Sequence, residues 1–282
     1  MAGIDEIFSK KFDELTKDIE NSFLEEPGPG ALPESRNNDN SIKGILVPSA
    51  DYEISGFSMA WAYKRIAETR FKDVYIILGH CKGNSSIIIN DIKTPLGIIK
   101  TDRNLANKII DDTGISAKEN QEISDSILFQ APFLQFASKD KFSQLKIIGL
   151  EIGNNISKEQ LKVLAHFIRK SLKDQNKNCT VIASTNLTEF GNKFGYKPFL
   201  YNVEESIENI DYHIINSLEK QDWEDIISFV TKEKANIPGY MALALLVFIL
   251  GNYETKLLQY YKSDYINKNK DNTQSFLSME FI

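Results

Sequence analysis

Residues 42–79 read IKGILVPSADYEISGFSMAWAYKRIAETRFKDVYIILG, and this stretch carries the pattern that decides the fold. It begins and ends with short apolar runs, at residues 42–47 and 74–78, and the second run is rich in β-branched side chains. Between them, residues 56–70 place Met59, Tyr63 and Ile66 at helical spacing. Short apolar strands that alternate with amphipathic helices predict a mostly parallel or mixed sheet with helices on both faces.

The same alternation continues to the C terminus. Apolar runs predict further strands at residues 85–89 and 96–100, as a strand pair, and at residues 145–150, 180–184, 256–260 and 276–282. Helical spacing predicts helices at residues 105–112, 123–136, 158–172, 207–218, 222–231 and 239–250. Ahead of this α/β pattern, we expect an N-terminal helix within residues 1–24 and a Pro/Gly-rich loop at residues 25–41, packed on the domain.

Charge and hydropathy exclude two classes of partner. The chain of 282 residues carries a net charge of −6, whereas phosphate binding needs a basic face, so we expect no nucleic-acid partner. The longest apolar stretch, residues 240–250, is too short for a membrane span of about 20 residues and predicts a buried core helix. Residues 1–23 carry charge throughout and lack the apolar run of a signal peptide.

The two cysteines predict a reducing compartment. Cys81 falls just after the predicted strand at residues 74–78, and Cys179 falls at the start of another strand. If these strands are parallel, the two thiols lie at opposite edges of the sheet, too far apart for a disulfide. Two free thiols are typical of cytoplasmic proteins, so we expect a cytoplasmic location.

Four loops are the candidates for a functional site, because ligands of such sheets bind beyond the carboxyl ends of the strands. They are residues 48–55, 79–85, 151–156 and 185–195. Five segments in and around these loops carry a recognisable pattern. They are PSADYEISG at residues 48–56, ILG at 77–79, TPLG at 94–97 followed by Asp102, SILFQAPFLQ at 126–135, and TNLTEFG at 185–191.

These segments resemble, in order, the motifs of the Memo family, also called AmmeMemoRadiSam system protein B. The first is similar to the family's Pro-His-Ala-Gly-Tyr-x-Tyr-Ser-Gly, and the third to its Thr-Pro-Leu-Gly hairpin. Gly28-Pro29-Gly30 is also seen in archaeal-looking relatives. The resemblance spans nearly the whole chain. It implies a single α/β domain, residues 1–282, resembling the class III extradiol dioxygenase fold, with a cleft at the carboxyl edge of its sheet.

The family's metal ligands are replaced in this chain. The resemblance implies a site of histidines, with a cysteine in some members, which suits a transition metal. The residues at the matching positions are Ser49, Lys82, the pair Ser124 and Asp125, Asn186, Glu189 and Pro238. A lysine ammonium has no lone pair, proline offers no side-chain donor and serine is a weak ligand. We therefore expect no metal and no cofactor at the family position.

Two arrangements of the altered cleft are possible from the sequence. The ammonium of Lys82 takes the place of the metal charge and pairs with Asp51, Asp125 or Glu189, because a buried charge needs a partner. Alternatively, the cleft is open and each charge is solvated. The side chains expected to line it are Ser49, Asp51, Tyr52, His80, Cys81, Lys82, Asp125, Asn186 and Glu189, with no catalytic role assigned.

Three functions fit this resemblance. The first is a non-catalytic protein that binds a small ligand or a protein partner through the old cleft. The second is an enzyme, metal-dependent or acid–base, with a site rebuilt around His80, Cys81 and Glu189 and a transition metal at a shifted position. The third is a structural subunit that forms a homodimer or pairs with an active Memo paralogue. We favour the first, because the replaced positions are the ligands themselves.

Overall fold

The computed structural model describes residues 8–39 and 41–282, and eleven strands lie in this part of the chain. The strands are β1 Gly44–Val47, β2 Val74–Cys81, β3 Ser86–Ile88, β4 Ile92–Thr94, β5 Gly97–Thr101, β6 Ser116–Lys118, β7 Lys146–Gly153, β8 Cys179–Ser184, β9 Glu189–Gly191, β10 Thr255–Lys262 and β11 Asn272–Phe281. The predicted strands are all present, and β4, β6 and β9 are additions.

The α-helices surround these strands. They are α1 Phe12–Leu24, α2 Tyr52–Glu68, α3 Arg103–Thr113, α4 Asp125–Leu128, α5 Gln130–Ala137, α6 Lys158–Asp174, α7 Val203–Glu219, α8 Trp223–Glu233, α9 Tyr240–Leu250 and α10 Asp264–Asn267. Two short 3₁₀ segments, Lys139–Gln144 and Asn192–Phe194, complete the described elements.

The sheet is mixed, and its centre is parallel. Its strands run in the order β10-β11-β1-β8-β2-β7-β3-β6. The four central strands β1, β8, β2 and β7 are parallel neighbours, whereas β11 and β3 pair with them in the antiparallel sense. The carboxyl ends of the four parallel strands therefore meet at one edge of the sheet.

Helices cover both faces of this sheet, as the sequence pattern predicts. Along β2, Tyr75 and Ile77 belong to a core with residues of α1, α2 and α5, whereas Ile76 and Leu78 belong to a second core with α3, α6 and α9. Successive side chains of a strand point to opposite faces, so one strand supplies both layers. The single-domain α/β architecture is confirmed.

The predicted N-terminal helix is interrupted at residues 10 and 11, with residues 8 and 9 also helical, and the loop after it contacts the sheet layers. α1 begins at Phe12, because Lys11 has extended backbone and caps the helix, while residues 1–7 of the predicted helix lie outside the described residues. Pro27 accepts hydrogen bonds from Trp61 and Gln259, both at 2.9 Å. The guanidinium of Arg36 donates to backbone carbonyls of α2 and α5.

Two predicted elements need correction. The strands at residues 85–89 and 96–100 are not a pair, because β3 pairs with β7 and β6, whereas β5 forms a hairpin with β4 and also pairs with β7. The helix predicted at residues 123–136 is two helices, α4 and α5, which meet at Phe129. Pro132 lacks an N–H and its ring crowds the carbonyl four residues earlier, which disfavours one continuous helix.

The apolar stretch near the C terminus is a core helix, as predicted. Eight of the eleven residues of α9 are buried, and within the described part of the chain no helix is long and apolar enough to cross a membrane. Cys81 and Cys179 are free thiols at opposite ends of neighbouring parallel strands, as expected. The cytoplasmic location stays a prediction.

Candidate functional site

A cleft of about 1130 Å³ opens at the edge of the sheet where the parallel strands end. Its wall contains residues from the ends of β1, β2 and β7, from the start of α4, and from β9. Six of the nine side chains expected from the sequence line it, namely Ser49, His80, Cys81, Lys82, Asp125 and Glu189. The other three, Asp51, Tyr52 and Asn186, do not.

The positions and contacts of these three residues explain why they do not line the cleft. Asp51 is exposed immediately before α2. Tyr52 is buried, and its hydroxyl donates to the carbonyl of Phe129 at 2.5 Å, so it is unavailable to a ligand. Asn186 lies behind the wall, where its Oδ1 accepts from the Ser49 N–H at 2.9 Å and its Nδ2 donates to the Ser49 carbonyl at 3.1 Å.

Glu189 is held in place by neutral amides. Its Oε1 accepts from Nδ2 of Asn186 at 2.9 Å and from Nε2 of Gln274 at 2.8 Å. The backbone of Glu189 pairs with Gln274 across β9 and β11, and its N–H and carbonyl both bond to Asn236. The carboxylate is therefore fixed on one wall of the cleft, half-buried.

His80 and Cys81 belong to a strand and not to the loop that the sequence predicts. β2 continues to Cys81 because its backbone pairs with β7 as far as Gly153. Consecutive residues of an extended strand point to opposite sides, so His80 and Cys81 are poorly arranged to bind one ion together. The Sγ of Cys81 lies 3.7 Å from the carbonyl oxygen of Gly83 and 3.6 Å from that of Asn84.

Burial keeps both groups electrically neutral. It lowers the pKa of His80, although a backbone hydrogen bond with Ser184 opposes the change, and it raises the pKa of the Cys81 thiol. A neutral thiol is a weaker nucleophile and metal ligand than a thiolate. The Nδ1 atom of His80 is inaccessible to solvent and has no hydrogen-bond partner among the described residues.

The predicted ion pair of Lys82 is not formed. Lys82 is exposed, and no carboxylate of the described residues lies within 4 Å of its Nζ. Asp51 and Asp125 are also exposed, and Glu189 is bound by amides. The arrangement with Lys82 as a buried stand-in for the metal charge is therefore wrong, and Lys82 is a solvated cation at the edge of the cleft.

A different lysine and glutamate form the buried ion pair of this site. Nζ of Lys118 lies 2.6 Å from Oε2 of Glu151, whose side chain is 2% exposed. The same carboxylate accepts from the Ser124 N–H at 2.6 Å and from the Ser86 hydroxyl at 3.3 Å. Both charged residues line the cleft, and the sequence pattern did not single them out.

Ser126 of α4 joins this helix to the end of β2. The hydroxyl of Ser126 accepts from the His80 N–H at 2.9 Å and donates to the His80 carbonyl at 3.2 Å. This approach requires Gly79, because a Cβ there would lie 2.4 Å from Oγ of Ser126. The end of β2 and the start of α4 are thus joined directly beneath the cleft.

The donor set does not fit the metal that the family resemblance implies. Ser49, Lys82, Ser124, Asp125, Glu189 and Pro238, all at matching ligand positions, line this cleft. In residues 8–39 and 41–282, no group of three or more His, Cys, Asp or Glu side chains is arranged to hold a metal ion. His80 and Cys81 do not restore the set, for the reasons given above.

The fold and the cleft can now be compared with those of known proteins. The protein is an α/β protein with a mixed sheet and a cleft at the carboxyl edge of the parallel strands. The family model for Memo-like proteins matches residues 1–280. The chain therefore belongs to the Memo-like protein family. It is 27% identical over 257 residues to a MEMO1 family protein of Thermococcus kodakarensis, covering 86% of this chain and 88% of the relative.

Two further similarities were found, one in sequence and one in fold. A MEMO1 family protein of Methanobrevibacter smithii is 27% identical over 278 residues, which cover 94% of this chain and 93% of the relative. Among solved structures, an uncharacterized protein of Escherichia coli K12 aligns with a TM-score of 0.55 at 11% identity, over 85% of this chain and 99% of that chain. The structural similarity extends to the fold alone.

Proposed function

We propose that this Memo-family chain is a non-catalytic protein that binds a small ligand in the cleft without the family's metal. The observation that carries the proposal is the composition of the wall: the matching ligand positions hold residues that are poor ligands or lack a converging partner. In their place, the wall presents a fixed carboxylate, an ion pair and apolar surface. Such a mixture is typical of small-molecule sites.

The rebuilt enzyme site is the weaker reading. It needs His80, Cys81 and Glu189 to converge on one substrate. All three line the cleft, but His80 and Cys81 are consecutive strand residues whose side chains leave the backbone on opposite sides. Burial raises the pKa of the Cys81 thiol, which disfavours a nucleophilic thiolate. Pairing with a second copy or with a Memo paralogue stays a prediction.

The proposal is tested with chelator-treated protein and a broad panel of small molecules. We expect at least one compound class to raise the melting temperature of the metal-free chain, because binding to the folded state stabilises it. The matched variant is Asn154→Trp, which places a large ring at an exposed position of the cleft wall.

Asn154→Trp should keep the melting temperature of the free protein and lose the ligand-induced shift. Stabilisation by a compound only after metal loading would contradict the proposal. A shift that persists in Asn154→Trp would place the ligand elsewhere on the protein.

A further inference from the structure

We infer that the ligand of this cleft carries a protonated amine, which pairs with the carboxylate of Glu189. This inference rests on the proposed function and names the chemical class of its ligand. Glu189 lies on the wall of the cleft, and the amides of Asn186 and Gln274 hold its carboxylate there.

Glu189 is a half-buried carboxylate without a counter-ion among the described residues. Both hydrogen bonds to its side chain come from neutral amides and end on Oε1. No lysine, arginine or histidine nitrogen of the described residues lies within 4 Å of either oxygen. Amides orient a carboxylate but do not neutralise it, so Glu189 keeps an uncompensated negative charge on the wall of the cleft.

The lysines of the cleft do not supply that missing charge. Lys118 is paired with Glu151 at 2.6 Å. Lys82 and Lys193 are exposed, and Nζ of Lys193 lies 5.4 Å from the ring centre of Phe194. Lys118 is therefore already paired, and Lys82 and Lys193 are solvated. The half-buried charge of the cleft wall that has no partner among the described residues is the negative charge of Glu189.

The remaining wall fits the rest of such a ligand. Phe129, Phe194 and Pro238 add apolar surface to the same cleft. A small amine with an apolar body therefore matches the wall better than an acid of equal size, which would meet Glu189 with a like charge.

Three compounds of similar size and different charge test this inference. They are benzylamine, benzyl alcohol and benzoate, titrated by calorimetry into chelator-treated full-length protein at neutral pH. We expect benzylamine to bind at least about tenfold more tightly than benzyl alcohol, because its ammonium forms a charge-assisted hydrogen bond. Benzoate should bind more weakly than either.

Glu189→Gln keeps the size of the side chain and removes its charge. It should reduce benzylamine affinity by about tenfold and leave benzyl alcohol unchanged. The matched control is Glu119→Gln, an exposed residue outside the cleft wall, which should leave both affinities unchanged.

Equal or tighter binding of benzoate or the alcohol, unaltered benzylamine affinity in Glu189→Gln, or no binding of benzylamine would each overturn the inference. The proposed function has a separate outcome, because it fails only if no compound class of the broad panel binds to the cleft. The two failures are therefore distinguishable.

Discussion

Replacing Lys118 by methionine should lower the free energy of unfolding by about 3 kcal/mol. The substitution removes the ammonium that lies 2.6 Å from Glu151 and leaves an almost inaccessible carboxylate without a counter-ion among the described residues. A buried charge that loses its only ionic partner is costly, since water cannot replace the partner. Chemical denaturation of both proteins at neutral pH measures the difference.

Lys82→Met is the matched control, because it makes the same chemical change on the wall of the same cleft. Lys82 is exposed and has no carboxylate of the described residues within 4 Å, so we expect a change within about 0.5 kcal/mol. The reverse order, with Lys82→Met the more damaging, would mean that Lys82 and not Lys118 is the cation held by the site.

Asp211→Ala should be similarly damaging, at about 3 kcal/mol. Asp211 is fully buried on α7, where Oδ1 accepts from the Thr188 N–H at 3.0 Å and Oδ2 from the Tyr260 hydroxyl at 2.8 Å. Alanine leaves both donors unpaired away from water. Since Thr188 precedes Glu189, the loss also loosens the wall of the cleft.

The control is Glu219→Ala, an exposed acid on the same helix, for which we expect a change within about 0.5 kcal/mol. If urea denaturation gives the two variants the same midpoint, the hydrogen bonds of Asp211 contribute no more to stability than an exposed acid does.

The buried carboxyl of Asp211 should also make the free energy of unfolding depend on pH, in a definite direction. Burial raises the pKa of this carboxyl above its ordinary value of 3.8, against the effect of its hydrogen bonds. Between the ordinary and the raised pKa the folded state holds a proton that the unfolded state has lost, so stability falls as pH rises through this window. Asp211→Asn should remove that slope, because asparagine does not titrate.

The sequence predicts the strands and helices of the fold well, because both cores depend on local apolar spacing. The prediction fails where hydrogen bonding to a neighbouring strand decides where an element ends. β2 reaches Cys81 although Gly79, His80 and Cys81 have little strand preference, since the neighbouring strand β7 supplies hydrogen bonds as far as Gly153. The break between α4 and α5 was signalled by Pro132.

The residues of the site likewise include some that the sequence can predict and some that it cannot. Ser49 and Glu189 could be predicted because they follow, or lie close beyond, strands whose ends meet at one edge. The pair of Lys118 and Glu151 could not, because Lys118 lies on β6, three residues that read Ser-Ala-Lys and have no apolar pattern. Only the tertiary structure brings this lysine to a glutamate 33 residues away.

The metal content of the purified protein shows most directly whether the cleft has lost the family's metal site. Purified protein is exposed to copper, iron and zinc, dialysed, and analysed by elemental mass spectrometry. We expect far less than one equivalent of any metal, with no difference between the wild type and His80→Ala. One equivalent in the wild type that is lost in His80→Ala would contradict the account.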